Sequence, residues 1–131
     1  MSLNRIRLGR EASIRLRTLK MRTGLNPNIL SRIAFCLSLR ETGLPDSRLY
    51  DEEGLEFNRY TLTGEWDVFF LSLLKERMIA DGLDTTQDLV PYFKAHLNRG
   101  VISLYTRVKT LSDLADLLSD SGRLNPIERA D

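Results

Sequence analysis

One segment that is apolar on nearly every side constrains the fold of this chain most. Residues 27–40 read PNILSRIAFCLSLR, and between Ile29 and Leu39 only three positions interrupt the apolar residues when the segment is wound as an α-helix. Asn26 is a favourable N-cap, Pro27 suits the first helical position, and Gly43 follows as part of the stop signal. A helix that is apolar all round must be buried, in its own domain or in a subunit interface. We expect this helix to be the core helix.

Most of the remaining chain also predicts helix. Apolar residues recur at helical spacing in several further segments, which we expect at residues 10–23, 65–81, 85–98, 101–109 and 111–119. Residues 4–8 alternate polar and apolar as a short strand does, and residues 57–62 could form another short strand. We therefore predict an all-α fold, a compact bundle of about five to six helices to which these two short strands can be added.

Local signals set the predicted helix ends. Thr63 is expected to cap the helix over 65–81, whose broad apolar stripe includes Trp66, Phe69, Phe70, Leu73, Leu74 and Ile79. Thr85-Thr86-Gln87-Asp88 is typical of a capping box that opens the next helix, and Gly100 is expected to separate that helix from its successor. Thr110 with Asp113 suggests a cap for the last helix.

Length and composition indicate one cytoplasmic domain. The 131 residues are enough for a single domain, which we place at 1–120, followed by a flexible tail over 121–131. No apolar run approaches the roughly 20 residues that span a bilayer, and residues 1–5 do not resemble a signal peptide. With Cys36 as the single cysteine, an internal disulfide is excluded. We expect a cytoplasmic protein with no membrane partner.

Charge is distributed very unevenly along the chain. Residues 1–50 have ten basic and three acidic side chains, whereas the remaining 81 residues have nine basic and fifteen acidic ones, although the net charge of the whole chain is only +1. Such asymmetry suggests a polyanionic partner for the basic half. The alternative is that the arginines form a solvated helix face paired with acids elsewhere on the fold.

Nothing in the sequence predicts catalysis. His96 is the single histidine, and Cys36 lies in the most apolar segment, where a thiol is usually inert packing. The acidic run Asp51-Glu52-Glu53 with Glu56 lacks the spacing of a calcium loop. Walker A and Gly-x-Gly-x-x-Gly sequences are absent. We therefore predict no enzyme activity, no metal, no cofactor and no small-molecule substrate.

The basic N-terminal third is a candidate DNA surface. Arginine and lysine neutralise DNA phosphates and release counterions, and the arginine fork can contact one phosphate twice. The candidates lie on the first strand and along the first helix: Arg5, Arg7, Arg10, Arg15, Arg17, Lys20 and Arg22. Their spread around that helix prevents all of them from facing one duplex from one monomer. A symmetric oligomer would gather more of them, and Ile14 with Met21 offers a contact strip.

A strand followed by two helices is also the order found in ribbon-helix-helix repressors, whose paired strands enter the major groove. On that hypothesis Arg5 and Arg7 would contact bases, and the helix that starts at Pro27-Asn28 would bind phosphate. The remainder of the chain is not explained by it.

Several long blocks resemble the DndE family of DNA sulfur-modification proteins. They read RTGLNPNILSRIAFCLSL from Arg22, EFNRYTLTGE from Glu56, LKER from Leu74, HLNRG from His96 and RVK from Arg107, and the likeness covers about residues 5–118. The resemblance implies a role in replacing a non-bridging phosphate oxygen of DNA by sulfur, alongside DndC, DndD and a cysteine desulfurase. It implies a DNA-engaging accessory subunit, associated with nicked duplex and with self-assembly as a tetramer.

The family has no catalytic motif to transfer, so the site residues rest on charge. To the seven residues of the N-terminal third we add three further candidates, namely Lys75, Lys94 and Lys109. Two alternatives stay open beside a DNA-binding subunit. The chain could be an adaptor or scaffold for DndC and DndD, or a ribbon-helix-helix-like, sequence-specific DNA-binding regulator.

Overall fold

Helices make up most of residues 4–122, the part of the chain that this computed structural model describes. In chain order the elements are β1 (Arg5–Arg7), α1 (Arg10–Thr23), α2 (Pro27–Arg40), β2 (Glu56–Asn58), α3 (Arg59–Thr63), α4 (Asp67–Ala80), α5 (Val90–Arg107) and α6 (Leu111–Gly122). Single 3₁₀ turns lie at Ser47–Leu49 and Gly64–Trp66. The predicted mostly helical fold is confirmed. The second strand was expected over 57–62, but it lies at Glu56–Asn58 and residues 59–63 form α3 instead.

The core forms where α2 crosses α5. Phe35 of α2 stacks on Phe93 of α5 with ring centroids 4.7 Å apart, and Phe70 of α4 meets Phe35 edge-on at 6.1 Å. Gly100 lies against the backbone of Ala34, where an added Cβ would be only 1.9 Å from the Ala34 carbonyl oxygen. The prediction that residues 27–40 form the core helix is confirmed, with bounds that match the structure.

The helix that contains Gly100 corrects two predictions. The segments expected to end at 98 and to start at 101 are one continuous helix, α5. A glycine inside a helix costs about 1 kcal/mol relative to alanine, but here it permits the close approach to α2 and is buried. The capping box at Thr85 was also wrong. Asp88 Oδ1 instead accepts from the Val90 amide at 3.0 Å, and α5 begins there.

The start of the helix predicted over 65–81 was also misplaced. Asn58 Oδ1 accepts from the Tyr60 and Thr61 amides at 3.0 and 3.3 Å, so the chain leaves β2 directly into α3. The long helix then begins at Asp67, and Thr63 makes no capping hydrogen bond to its backbone. The Thr63 hydroxyl donates to the Asp67 carboxylate at 2.8 Å instead.

The two strands form an antiparallel ribbon beside the helices. Ile6 pairs with Phe57 and both are buried, whereas Arg5 and Arg7 lie on the exposed face. The alternation predicted for residues 4–8 is therefore confirmed. Because β1 pairs with β2 of its own chain, the ribbon is complete within one copy.

At the C-terminal end the predicted cap of the last helix is confirmed. The Asp113 amide donates to the Thr110 hydroxyl at 3.1 Å, and the Thr110 amide donates to the Asp113 carboxylate at 3.2 Å. The helix continues to Gly122, and the part of the expected tail at 123–131 lies outside the described residues. The domain division at residue 120 stays a prediction.

Only part of the apolar stripe predicted for α4 faces the core. Phe70 and Leu74 are buried, but Trp66 and Phe69 are each 55% exposed and Ile79 is 66% exposed. Over residues 4–122, none of the helices has the length and apolar character required to cross a membrane.

Candidate nucleic-acid interface

The outward side of α1 is strongly basic. Leu16 and Leu19 bury the opposite side of the helix, so Arg10, Arg17 and Lys20 face solvent. Within residues 4–122, these three side chains have no carboxylate partner within 4.0 Å. We call these three residues the outer basic face. It presents unpaired positive charge to any polyanion that approaches α1.

A second basic group forms where α1 meets α5. The side-chain charges of Arg15, Arg22 and Lys109 lie 4.4, 4.6 and 4.9 Å from the centroid of the Tyr105 ring. Cation–π attraction to the ring partly offsets the repulsion between these like charges. We call the three cations and the ring the Tyr105 cluster.

Backbone contacts fix the position of this cluster. The Arg22 guanidinium donates to the Val108 carbonyl at 3.3 Å, and the Lys109 amide donates to the Asp113 carboxylate at 2.9 Å. A hydrogen bond from Arg22 and the positive charge of Arg15 lower the pKa of the Tyr105 hydroxyl from its usual value. The electrostatic potential at the Tyr105 ring is therefore positive.

The two strand arginines are in a different electrostatic setting. Arg5 and Arg7 both contact the carboxylate of Glu56, at 3.1 and 3.3 Å, and Arg7 also donates to the Gly54 carbonyl. A single carboxylate thus compensates part of the charge of two candidate residues. Exposed pairs of this kind are worth little energy and can exchange with another anion.

Lys94 and Lys75, by contrast, are separate from both basic groups. The Lys94 ammonium is paired with Glu52 at 2.7 Å, and its side chain is only 12% exposed. Lys75 is exposed on α4, the helix that also exposes Val68 and Ile79. The structure therefore does not bring these two candidates together with the residues of α1.

His96 and Cys36 have structural surroundings. His96 is completely buried, and its Nδ1 lies 2.9 Å from the Ser38 hydroxyl. Desolvation, reinforced by the charges of Arg99 and Arg77, lowers the pKa of His96 to about 4. Burial raises the pKa of the Cys36 thiol, which keeps it in the less reactive protonated form.

Residues 4–122 contain no group of three or more His, Cys, Asp or Glu side chains arranged to hold a metal ion. The acidic loop that contains Asp51 has a structural role. Asp51 Oδ1 accepts from the backbone amides of Arg10 and Glu53 at 2.9 and 2.8 Å. These bonds lower the pKa of Asp51, and one of them ties the loop to the start of α1.

Tyr105 is the residue of this surface that sequence reasoning missed. The available signal was an aromatic residue within the basic run YTRVK at 105–109. Its meaning depends on Arg15 and Arg22, which are more than 80 positions away in the chain and reach the ring only through the packing of α1 on α5.

These features define a class of small, mostly helical protein with a short antiparallel ribbon and a basic surface built on its first helix. The family model of DndE, described as DNA sulphur modification protein DndE, matches residues 5–112. The chain therefore belongs to the DndE family, and the resemblance noted in the sequence is confirmed.

Solved structures agree with this assignment. The chain is 28% identical to DndE from Escherichia coli B7A, a protein involved in DNA phosphorothioation modification. That match has a TM-score of 0.63 and covers 79% of this chain and 98% of the other. A glycine-to-lysine mutant of DndE involved in DNA phosphorothioation matches with 26% identity, a TM-score of 0.62, and coverage of 79% and 99%. No curated protein sequence matches this chain.

Proposed function

We propose that this chain is a non-catalytic, DNA-binding subunit of the cytoplasmic machinery that carries out DNA phosphorothioation. It binds duplex DNA, with a preference for nicked duplex, and works with DndC, DndD and a cysteine desulfurase. Membership of the DndE family supports a role in DNA phosphorothioation, and the related DndE proteins of known structure are involved in the same modification.

The unpaired outer basic face is the observation on which DNA binding rests. Arg10, Arg17 and Lys20 share one side of α1, and among the described residues no carboxylate oxygen lies within 4.0 Å of their side-chain nitrogens. Neutralising phosphates with such side chains releases condensed counterions, which is the main source of sequence-independent affinity for DNA. A subunit that binds in this way can position DNA without reading its sequence.

The test is fluorescence anisotropy of the purified protein with intact and singly nicked duplexes of identical sequence across a salt series. We expect tighter binding to the nicked duplex and a log–log salt slope of about −0.9 per phosphate contacted. Equal binding to both duplexes would remove the nick preference. Absence of binding to either duplex would contradict the DNA-binding role as a whole.

We further propose that the protein assembles with itself, as a tetramer, through α4. Trp66, in the turn that precedes α4, and Phe69 are each 55% exposed and meet edge-to-face at 6.4 Å, and Val68 and Ile79 of α4 are more exposed still. A group of exposed apolar side chains is typical of a protein interface. The strip of Ile14 and Met21 is a poorer candidate, because Arg10 and Arg17 flank it and would be brought together with their copies.

The exposed side chains of α4 also favour the adaptor function, in which DndC or DndD covers them. Stable co-purification with either subunit after charge reversal on the outer basic face would support that function. The ribbon-helix-helix alternative is weakened, because β1 pairs with β2 within one chain and Arg5 and Arg7 contact Glu56. A footprint at one operator would be needed to support it.

A further inference from the structure

We infer that the Tyr105 cluster is a binding site for a single phosphate group, and that in the complex with DNA it holds one phosphate of the strand. This inference rests on the proposed DNA-binding function and assigns a defined contact to it. The site combines side chains from α1 with the end of α5 and the connection to α6.

Positive charge is concentrated around the Tyr105 ring. The distances of Arg15, Arg22 and Lys109 from one ring centroid keep any two of the cations within about 10 Å, which is roughly the Debye length at 0.1 M salt. Among the described residues, the one carboxylate within 4.0 Å of a side-chain nitrogen of these cations is that of Glu11, which is 66% exposed and reaches Arg15 only at that limit. The Asp113 carboxylate contacts the backbone amide of Lys109 and not its ammonium. Three cations with one loose counter-charge form a site that an anion would stabilise.

The aromatic ring of Tyr105 is already covered by the arginines of the cluster. Two guanidinium groups, those of Arg15 and Arg22, already lie over the Tyr105 ring. A nucleobase would have to displace them in order to stack there, which argues against base recognition. The ring instead holds the guanidiniums in place, and a planar guanidinium retains donors at its edge that match two oxygens of a phosphate.

Part of this arrangement is built into the fold. The Arg22 contact with the Val108 carbonyl fixes that guanidinium relative to the end of α5, and the Lys109 amide contact with Asp113 holds the backbone from which the Lys109 side chain extends. The outer basic face has no comparable anchoring of its side chains among the contacts of the described residues. A preorganised site loses less side-chain freedom when an anion binds.

The test follows the ring signals of Tyr105 by NMR in protein labelled on its tyrosines, with Tyr105→Phe to assign them. Inorganic phosphate is titrated against sodium chloride of equal ionic strength. We expect a saturable shift of the Tyr105 signals with phosphate that chloride does not reproduce. Lys109→Gln should weaken it, whereas Arg48→Gln, which removes the same charge from an exposed residue paired with Asp46, should not. Shifts that are identical in the two salts would overturn the inference.

Two DNA probes then identify the source of the phosphate. One is a duplex closed by hairpin loops at both ends, and the other is the same duplex open with 5′-phosphate termini. A Tyr105 shift with both assigns the site to an internal phosphodiester, and a shift with the open duplex alone assigns it to a terminal phosphate. Either result supports the site.

The same experiment separates this inference from the proposed function. DNA that binds without moving the Tyr105 signals would refute the site and leave DNA binding intact. A phosphate-dependent shift without any DNA binding would refute the proposed function and leave a phosphate site. In salt titrations of DNA binding, Lys109→Gln should reduce the log–log slope by about 0.9 and Arg48→Gln should leave it unchanged.

Discussion

Simultaneous replacement of Arg10, Arg17 and Lys20 by glutamine is the most direct perturbation of the outer basic face. Arg10 and Arg17 are seven residues apart, about 10.5 Å along the axis of α1, and Lys20 lies about 4.5 Å further along. At 100° per residue the three side chains span an arc of roughly 80°, so one duplex can contact all of them. The triple variant should therefore lose three phosphate contacts.

The size of the effect follows from counterion release. Each lost contact reduces the log–log salt slope by about 0.9, so the triple variant should lose about 2.7 from its slope. The corresponding loss of affinity is about 500-fold at 0.1 M salt, and it shrinks to about 25-fold at 0.3 M. The assay is anisotropy with a labelled duplex at several salt concentrations. The thermal midpoint should not fall, because the replaced side chains are exposed and lack ion pairs among the described residues.

A charge-matched variant is needed as the control. The control variant replaces three exposed arginines that lie outside both basic groups, namely Arg40, Arg48 and Arg107, by glutamine. It removes the same net charge as the first triple variant. We expect this control to change the slope far less than 2.7. Equal losses in both triple variants would show that only net charge matters, and an unchanged slope in both would refute the assignment of DNA binding to α1.

Three further predictions concern stability and assembly. Gly100→Ala should destabilise the protein by about 3 kcal/mol, measured by urea unfolding, because its Cβ would overlap the Ala34 backbone. A destabilisation below 1 kcal/mol would contradict the close packing. Stability should fall as the pH decreases from 6.5 to about 4, by on the order of 2–3 kcal/mol, since unfolded His96 binds a proton that the folded form resists. His96→Gln should flatten this dependence. Ile79→Glu should lower the mass measured by light scattering, whereas Met21→Glu should not; the reverse result would move the interface to α1.

Helix positions followed from the sequence where capping and periodicity acted locally. Asn26 accepts from the Asn28 amide at 2.7 Å and begins α2 as expected. Gly24, with a positive φ of 75°, ends α1 at the predicted position. The helix end predicted at Gly100 was wrong because the cost of glycine in a helix, about 1 kcal/mol, is smaller than the packing energy gained where α5 crosses α2. No local signal distinguishes a glycine that ends a helix from one that lets two helices touch.

The candidate site was predictable in composition but not in arrangement. Charge counting drew attention to α1, yet it could not show that Arg15 and Arg22 turn toward one tyrosine while Arg17 faces outward. It also could not show that Lys94 would be held by Glu52, since 42 residues separate them. Each of these outcomes depends on tertiary contacts between distant segments.

The pairing of acids with the N-terminal cations explains why the surface of α1 remains basic. Glu56 lies on β2, which pairs with β1, and its carboxylate compensates the charges of Arg5 and Arg7. The alternative that the arginines are solvated and paired with acids elsewhere on the fold therefore applies to the two arginines of the strand. Asp51 is the acid that reaches the start of α1. Its carboxylate accepts hydrogen bonds from the Arg10 and Glu53 amides and not from a charged side chain. The Asp51 carboxylate therefore binds backbone amides and does not pair with a cationic side chain of α1. A folded chain with nearly zero net charge can therefore present a basic surface on α1, because the compensating charge is held on a different element.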